Sequence, residues 1–552
     1  CIITIKIIFG TYLQTDHKIQ TMRLLQTFTV ATMATLLLSN CTTQKTPLYQ
    51  SVDKTGIVAK KTAISENDLK RWSHLDLLKD SIPGMSVDKA YELLLKDKKS
   101  TTVIVGVIDS GVDIVHEDLK ANVWTNSKEI PGNGIDDDNN GYIDDINGWN
   151  FLGESTRENL EMTRIIKKGD DGSATYKRAL AAYDKKKSEA MSGKQQVDFI
   201  FNADKTISDH LKKSDYTLED LQKLVTTDAT IGQAKQVMMS IITQAGPEYR
   251  ENIEGYKDYV YSTLNYNLNV DFDGRKIVGD NVNDITDTKY GDNNVAGPDK
   301  KDALHGTHVA GIIAQVRNNN LGGDGVATDV KIMALRAVPD GDEYDKDIAL
   351  AIRYAADNGA TIIHGSFRQS FSPNKQWVDD AIKYAAKKDV LFVHAAGNDG
   401  HNIDNPENQN YPNDATTGSG EFADNMITIG ALNNLYSSDI VAPFSNFGAV
   451  NVDVFAPGME IYATVPFDKY KFEQGTSMAS PNVAGVAALI RSYYPSLTAK
   501  QVKQILMDSG IAIPMDVKFG DDAEMMPFAK GSRSGKIVNA YNALLMAEKM
   551  AK

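Results

Sequence analysis

The chain has 552 residues, room for one large domain with additions or for two, and its 42% hydrophobic and 24% charged residues are the balance of a compact globular protein. With 59 Lys and Arg against 73 Asp and Glu, its formal charge of −14 repels phosphate backbones and argues against a nucleic-acid partner. The two cysteines, Cys1 and Cys41, both precede the globular part, so no internal disulfide staples a core.

Residues 1–21 open without a Met on an Ile-rich stretch and read as upstream sequence outside the folded protein. Residues 22–41, MRLLQTFTVATMATLLLSNC, combine one Arg, an apolar run and small residues before Cys41, the pattern of an export signal. The ending LSNC resembles a bacterial lipobox, although Asn40 stands where Gly, Ala or Ser is usual. It implies a lipid on Cys41 and a body held at the membrane in the periplasm or at the cell surface; an uncleaved anchor helix is the alternative. Residues 42–99 are polar apart from a patch around Trp72, Leu75, Leu77 and Leu78, and read as linker and lead-in.

At Thr101 the pattern changes to TTVIVGVIDSG, a β-branched run suited to a strand buried on both faces of a parallel sheet. Similar runs start at Val330, Ala360, Val390 and Met426, and helical patterns such as DKDIALAIRYAADNG and KQWVDDAIKYAAKK bridge them. This alternation predicts a doubly wound α/β fold of three layers with a mainly parallel sheet, over residues 100–547. Residues 153–270 break the rhythm with Lys, Asp, Glu and Gln at helical spacing, which predicts a helical insertion.

Three segments fall at strand ends or helix starts, where open α/β sheets present functional groups. Asp109 ends the first strand in VIDSG, His305 opens HGTHVAGIIA, and Ser477 lies in GTSMASPNVAGVAALI. A serine hydroxyl becomes a nucleophile when an imidazole takes its proton, and a buried carboxylate keeps that imidazole in the required tautomer. Asp, His and Ser occur here in the chain order that sets one serine-protease architecture apart from two others.

VIDSG, HGTHVAG and GTSMASP together resemble the subtilases, the subtilisin-like serine proteases, over about Trp72–Gly153 and Asp271–Ala547. The resemblance implies an endopeptidase with protein or peptide substrates and no organic cofactor, whose catalytic residues are Asp109, His305 and Ser477. It also implies that Asn398 in HAAGNDG donates to the oxyanion, that His308 is structural, and that Ser366, Arg368 and Gly397 lie along the substrate. Arg368 stands where the family has glycine, a change that narrows the groove, favours acidic substrates or weakens binding. Asn482 replaces a common His, harmlessly for the triad. The alternative is a weak or inactive surface peptide-binding protein; an esterase or peptide ligase would use the same three groups.

Structural calcium is expected at two places. The resemblance implies Asp118 of HEDL and Asn319 of NNNLGG as ligands. Independently, DDDNNGYIDDIN sets Asp136, Asp138 and Asn140 at calcium-loop spacing around Gly141, with Asn147 where a closing Glu would stand.

Overall fold

The structure is a computed structural model that describes residues 64–246, 249–416 and 420–552. The upstream stretch 1–21, the signal 22–41 and Cys41 lie outside the described residues. Among the described residues, no helix is long and apolar enough to cross a membrane.

The chain forms two compact units, one of Gly172–Leu268 and a larger one that includes Asn269–Lys552 and the described residues up to Asp171. The five apolar runs become strands of a nine-stranded sheet in the larger unit: β1 Val103–Asp109, β3 Val330–Arg336, β4 Ile362–Gly365, β5 Leu391–Ala395 and β8 Met426–Leu432. Short strands complete it, β2 Gly148–Asn150, β9 Val454–Pro457, β12 Ile511–Ala512 and β15 Lys536–Ile537. Two-stranded hairpins are β6 Ala415–Thr416 with β7 Gly420–Glu421, β10 Ile461–Val465 with β11 Lys469–Glu473, and β13 Asp516–Phe519 with β14 Glu524–Pro527. The sheet order is β12-β15-β9-β8-β5-β4-β1-β3-β2, parallel throughout except for the β12–β15 pair at one edge.

β1, β4, β5 and β8 are almost wholly buried because helices cover both sheet faces, and this explains why their sequences are continuous rather than alternating. The predicted helices form at Asp345–Asp357 and Lys375–Lys387. The Leu304–Ala314 and Thr476–Tyr493 helices, which carry His305 and Ser477, pack on each other and on β1.

Residues 64–99 are more than lead-in. Trp72, Leu77, Ile82, Met85 and Val87 are buried, the Trp72 indole N–H donates to the Met459 and Glu460 carbonyls at 3.0 and 3.2 Å, and Ala540 N–H donates to Met85 O at 2.7 Å. Few apolar residues in polar surroundings look like a linker in one dimension; here most of them turn inward, while Leu78 and Leu93 stay exposed.

The helical unit is shorter than the expected 153–270. The stretch from Gly153 to Arg164 is fastened to the larger unit by two buried guanidiniums: Arg336 donates to Gly153 O and Ser155 O, and Arg164 to Asp342 O and Glu343 O. The smaller unit consists of helices Ala174–Leu211, Leu218–Lys223, Ala229–Ala245 and Tyr249–Ser262, with a core that includes Ile200, Ile207, Leu221 and Met238.

In the larger unit, the buried Lys503 ammonium lies 2.8 Å from Glu421, 3.6 Å from Asp414 and 3.8 Å from Asp453. Burial pushes the Asp414 carboxyl up to about 7 against the pull of this lysine. Lys503→Met leaves Asp414 and Asp453 without the buried ammonium and Glu421 with its ion pair to Arg533, and should cost about 3–5 kcal/mol in urea unfolding near neutral pH. Buried carboxyls freed of the lysine take up protons more readily folded than unfolded, so the deficit should shrink as the pH falls. An unchanged midpoint at pH 8 would contradict this account.

Candidate active site

Asp109 is the last residue of β1, and its carboxylate is 1% exposed at the carboxyl end of the sheet. His305 is the second residue of its helix and presents a half-exposed ring. Its Nδ1–H donates to Asp109 Oδ1 at 2.7 Å, and the Ser110 N–H donates to the same oxygen at 2.7 Å. Helix and strand can come this close because residue 306 is glycine: a Cβ there would stand 2.1 Å from Gly111 O and 3.0 Å from Asp109 Cβ.

Burial works to lower the His305 pKa, but the charge of Asp109 and the hydrogen bond to it outweigh burial and hold the imidazole above its usual 6.5. His308, one helical turn on, is fully buried, donates Nε2–H to Lys471 O at 3.1 Å, and is pushed by burial down to about 4. Only His305 can meet a solvent-borne molecule.

Ser477 is the second residue of the Thr476–Tyr493 helix and is partly exposed, with its Oγ 3.5 Å from Ser366 O. The Asn398 side chain is oriented by Thr476, whose N–H and Oγ1–H donate to Asn398 Oδ1 at 2.8 and 3.0 Å; this turns the amide N–H₂ away. Thr476 Oγ1 in turn accepts from Gly397 N–H at 3.0 Å, so one buried hydroxyl ties the two segments together. Gly475 has φ +153°, and the point where its Cβ would stand is 3.4 Å from Asn398 Nδ2 and 3.5 Å from Ser477 N. Lacking that atom, the chain leaves the space between the two donors open.

Ser366 lies against Ser477, and a Cβ on Gly397 would stand 3.2 Å from Arg368 Nε. Arg368 forms an ion pair with Asp399, and its Nη1 donates to Ser370 Oγ at 3.1 Å. Its charge is therefore partly offset by a neighbouring carboxylate. Sequence reasoning did not find Thr476 or Asn446. Asn446 is buried, accepts from Asp399 and His401 N–H groups at 3.2 and 2.9 Å, and donates to Ala396 O at 2.9 Å, bracing the loop that carries Asn398. Thr476 directly precedes Ser477 in GTSMASP, whereas Asn446 carries no local signal. Asn482 is buried and donates to Pro457 O and Met478 O at 3.0 and 3.1 Å, away from the His305 ring.

The metal candidates are rearranged. Asp118 and Asn319 do meet: Asn319 Nδ2 gives to Asp118 Oδ1 at 2.6 Å and Gln315 Nε2 to Oδ2 at 3.2 Å. In the acidic loop, Asp136 and Asp138 are joined by Glu129, with oxygens of all three within 4.8 Å of one another. Asn140 accepts from Tyr142 N–H at 2.8 Å and donates to Asp145 at 2.9 Å, and Asn147 donates to Trp124 O at 2.7 Å. Glu129 lies upstream of the loop, where spacing within the loop cannot reveal it.

A buried carboxylate bonded to an exposed imidazole, beside a helix that opens on serine, is the equipment of a serine hydrolase. The model of the subtilase family matches residues 100–523, and the chain belongs to that family. It is 33% identical over 318 residues to subtilisin-like protease 1 of Plasmodium falciparum (isolate 3D7), covering 54% of this chain and 43% of that one. It is 41% identical over 189 residues to a thermophilic serine proteinase of Bacillus sp. (strain AK1), covering 34% and 42% of the two chains. With subtilisin DY of Bacillus licheniformis it shares 39% identity over 205 residues, 37% of this chain and 68% of the relative. The chain thus spans less than half the length of the first two.

Because Gly306 has no space for a Cβ, Gly306→Ala should separate the imidazole from Asp109. A displacement of about 1 Å costs on the order of 10²-fold in rate. The rate of fluorophosphonate labelling reads this; a variant that labels as fast as the parent would show that the close approach is dispensable.

Proposed function

We propose that this chain is a serine endopeptidase acting on proteins or peptides through an acyl-enzyme. The observation that carries the reading is the 2.7 Å hydrogen bond from His305 Nδ1 to the buried Asp109, which leaves the other ring nitrogen as the base. Ser477 Oγ attacks the scissile carbonyl carbon as His305 Nε2 takes the hydroxyl proton. The resulting oxyanion lies between Asn398 Nδ2 and the Ser477 N–H. His305 then gives the proton to the leaving amine, and water, activated the same way, hydrolyses the ester.

Fluorophosphonate should label the chain, and Ser477→Ala should abolish both labelling and casein cleavage; loss of the nucleophile in such a triad costs about 10⁶-fold. Labelling that survives Ser477→Ala would sink the proposal. Asn398→Ala should lower kcat by about 10²–10³-fold. Since the base acts neutral and its pKa is raised, kcat/KM should fall as the pH drops, with a midpoint above 6.5. A midpoint well below 6.5 would mean that Asp109 does not act on the base as described.

The oxygen donors of Glu129, Asp136 and Asp138 fit a calcium ion, which would brace the loop and take no part in the chemistry. Calcium at about a hundredfold above its Kd would add about 2.7 kcal/mol of stability. Thermal unfolding should show calcium protection that EDTA reverses and Glu129→Gln removes; equal melting with and without calcium would refute the site. An exported, membrane-anchored location rests on the Met22–Cys41 stretch alone.

A further inference from the structure

Ser477 begins a helix with a built-in gap. Pro481, four residues on, has no N–H to give to the Ser477 carbonyl. A side chain supplies a donor: Ser366 Oγ–H lies 3.0 Å from Ser477 O. The same Oγ is 2.8 Å from Ser480 Oγ and 3.0 Å from His364 Nε2, and His364 Nε2 is 2.8 Å from Ser480 Oγ. His364 and Ser480 are fully buried, Ser366 nearly so. His364 sits in the middle of the sheet, opposite Val107 of β1 and Val393 of β5.

Counting protons fixes the direction of this cluster. If Ser366 donates to Ser477 O, its oxygen can only accept from the others. Were Nδ1 to hold the His364 proton, Ser480 would donate to Nε2, and the 2.8 Å contact between the two serine oxygens would contain no proton. The Nδ1–H would also be orphaned, because that atom is buried without a partner among the described residues. Orphaned buried donors are rare. With the proton on Nε2, three of the four contacts hold a proton of their own, since His364 Nε2–H gives to Ser480 Oγ, Ser480 Oγ–H to Ser366 Oγ, and Ser366 Oγ–H to Ser477 O; the fourth, from Nε2 to Ser366 Oγ, shares the Nε2–H. Burial, assisted by His305 and His394 and opposed by Asp109, pushes the His364 pKa down to about 3, so the ring is neutral and can carry only one N–H at any working pH.

We propose that His364 is a positioning residue, the terminal donor of a one-way relay through Ser480 and Ser366 that replaces the helical hydrogen bond Pro481 cannot make and holds the Ser477 peptide in its attacking position. The inference rests on the peptidase reading, since it assigns the relay to the same nucleophile. The relay also couples the nucleophile to the substrate edge: Ser366, whose hydroxyl anchors the Ser477 carbonyl, presents its own carbonyl 3.5 Å from Ser477 Oγ.

The test is saturation kinetics of fluorophosphonate labelling of the full chain, separating kinact from KI. His364→Phe keeps the ring and removes the N–H; it should lower kinact by about 10–100-fold with KI changed by no more than about twofold, as expected when a nucleophile is misplaced. His364→Gln, which carries an N–H near the Nε2 position, should restore most of the rate. Ser366→Ala and Ser480→Ala should each slow labelling, and either one combined with His364→Phe should cost less than the sum, because one relay is broken twice. Thermal unfolding checks that each variant is folded, and the two serine variants carry the test should His364→Phe not fold. Folded variants that label at the parent kinact, additive losses, or a Gln variant as slow as Phe would overturn the relay while leaving the peptidase reading intact. A parent chain that labels nowhere would overturn both.

Discussion

The larger unit is organised by one helix that has almost no surface. Of the residues in Thr476–Tyr493, all but Ser477 and Tyr493 are buried. A helix pressed against a sheet and a second helix needs small residues to let the backbones approach, and this one supplies Ala479, Ala484, Gly485, Ala487 and Ala488; a Cβ on Gly485 would lie 2.5 Å from Val326 Cβ. Close packing of this kind has little slack. The position of the first turn, and so of Ser477, is thereby set by contacts along the whole length of the helix.

That rigidity makes polar groups at the helix start expensive unless each has a partner. Thr476 is satisfied by Asn398 and Gly397, and the Asn482 amide N–H₂ by two carbonyls. The Ser477 carbonyl, which loses its ordinary helical donor to Pro481, finds Ser366. The same demand explains why His305 and His308 behave differently within one turn. One ring faces a carboxylate at the rim and is held above its usual pKa, while the other is sealed inside and held far below.

The buried charges outside the site follow the rule that ions leave water only with partners. Arg275 spans Asp280 and Asp347, Lys346 meets Asp280 at 2.6 Å, and Lys503 meets three carboxylates. Arg275 and Asp280 are five residues apart, but the other partners lie far apart in sequence, and nothing in their local composition distinguishes them from ordinary surface charge.

What could be read from sequence alone was whatever is local. Continuous β-branched runs specify strands covered on both faces, because only there does every position need to be apolar; Asp109, His305 and Ser477 announce themselves by falling at the ends of such runs or the starts of small-residue helices. Short edge strands such as β2 and β15 carry too few residues for a period, and the inward turn of Trp72 and Met85 depends on surfaces far along the chain. Tertiary structure alone decided which of several carboxylates joins Asp136 and Asp138, that Arg368 meets Asp399, and that His364 reaches Ser480 across more than a hundred residues. The division has a physical basis. Hydrophobic periodicity is imposed by the element a residue sits in, whereas hydrogen bonds and ion pairs are imposed by whatever the fold brings within about 3 Å, and that distance carries no trace in sequence spacing.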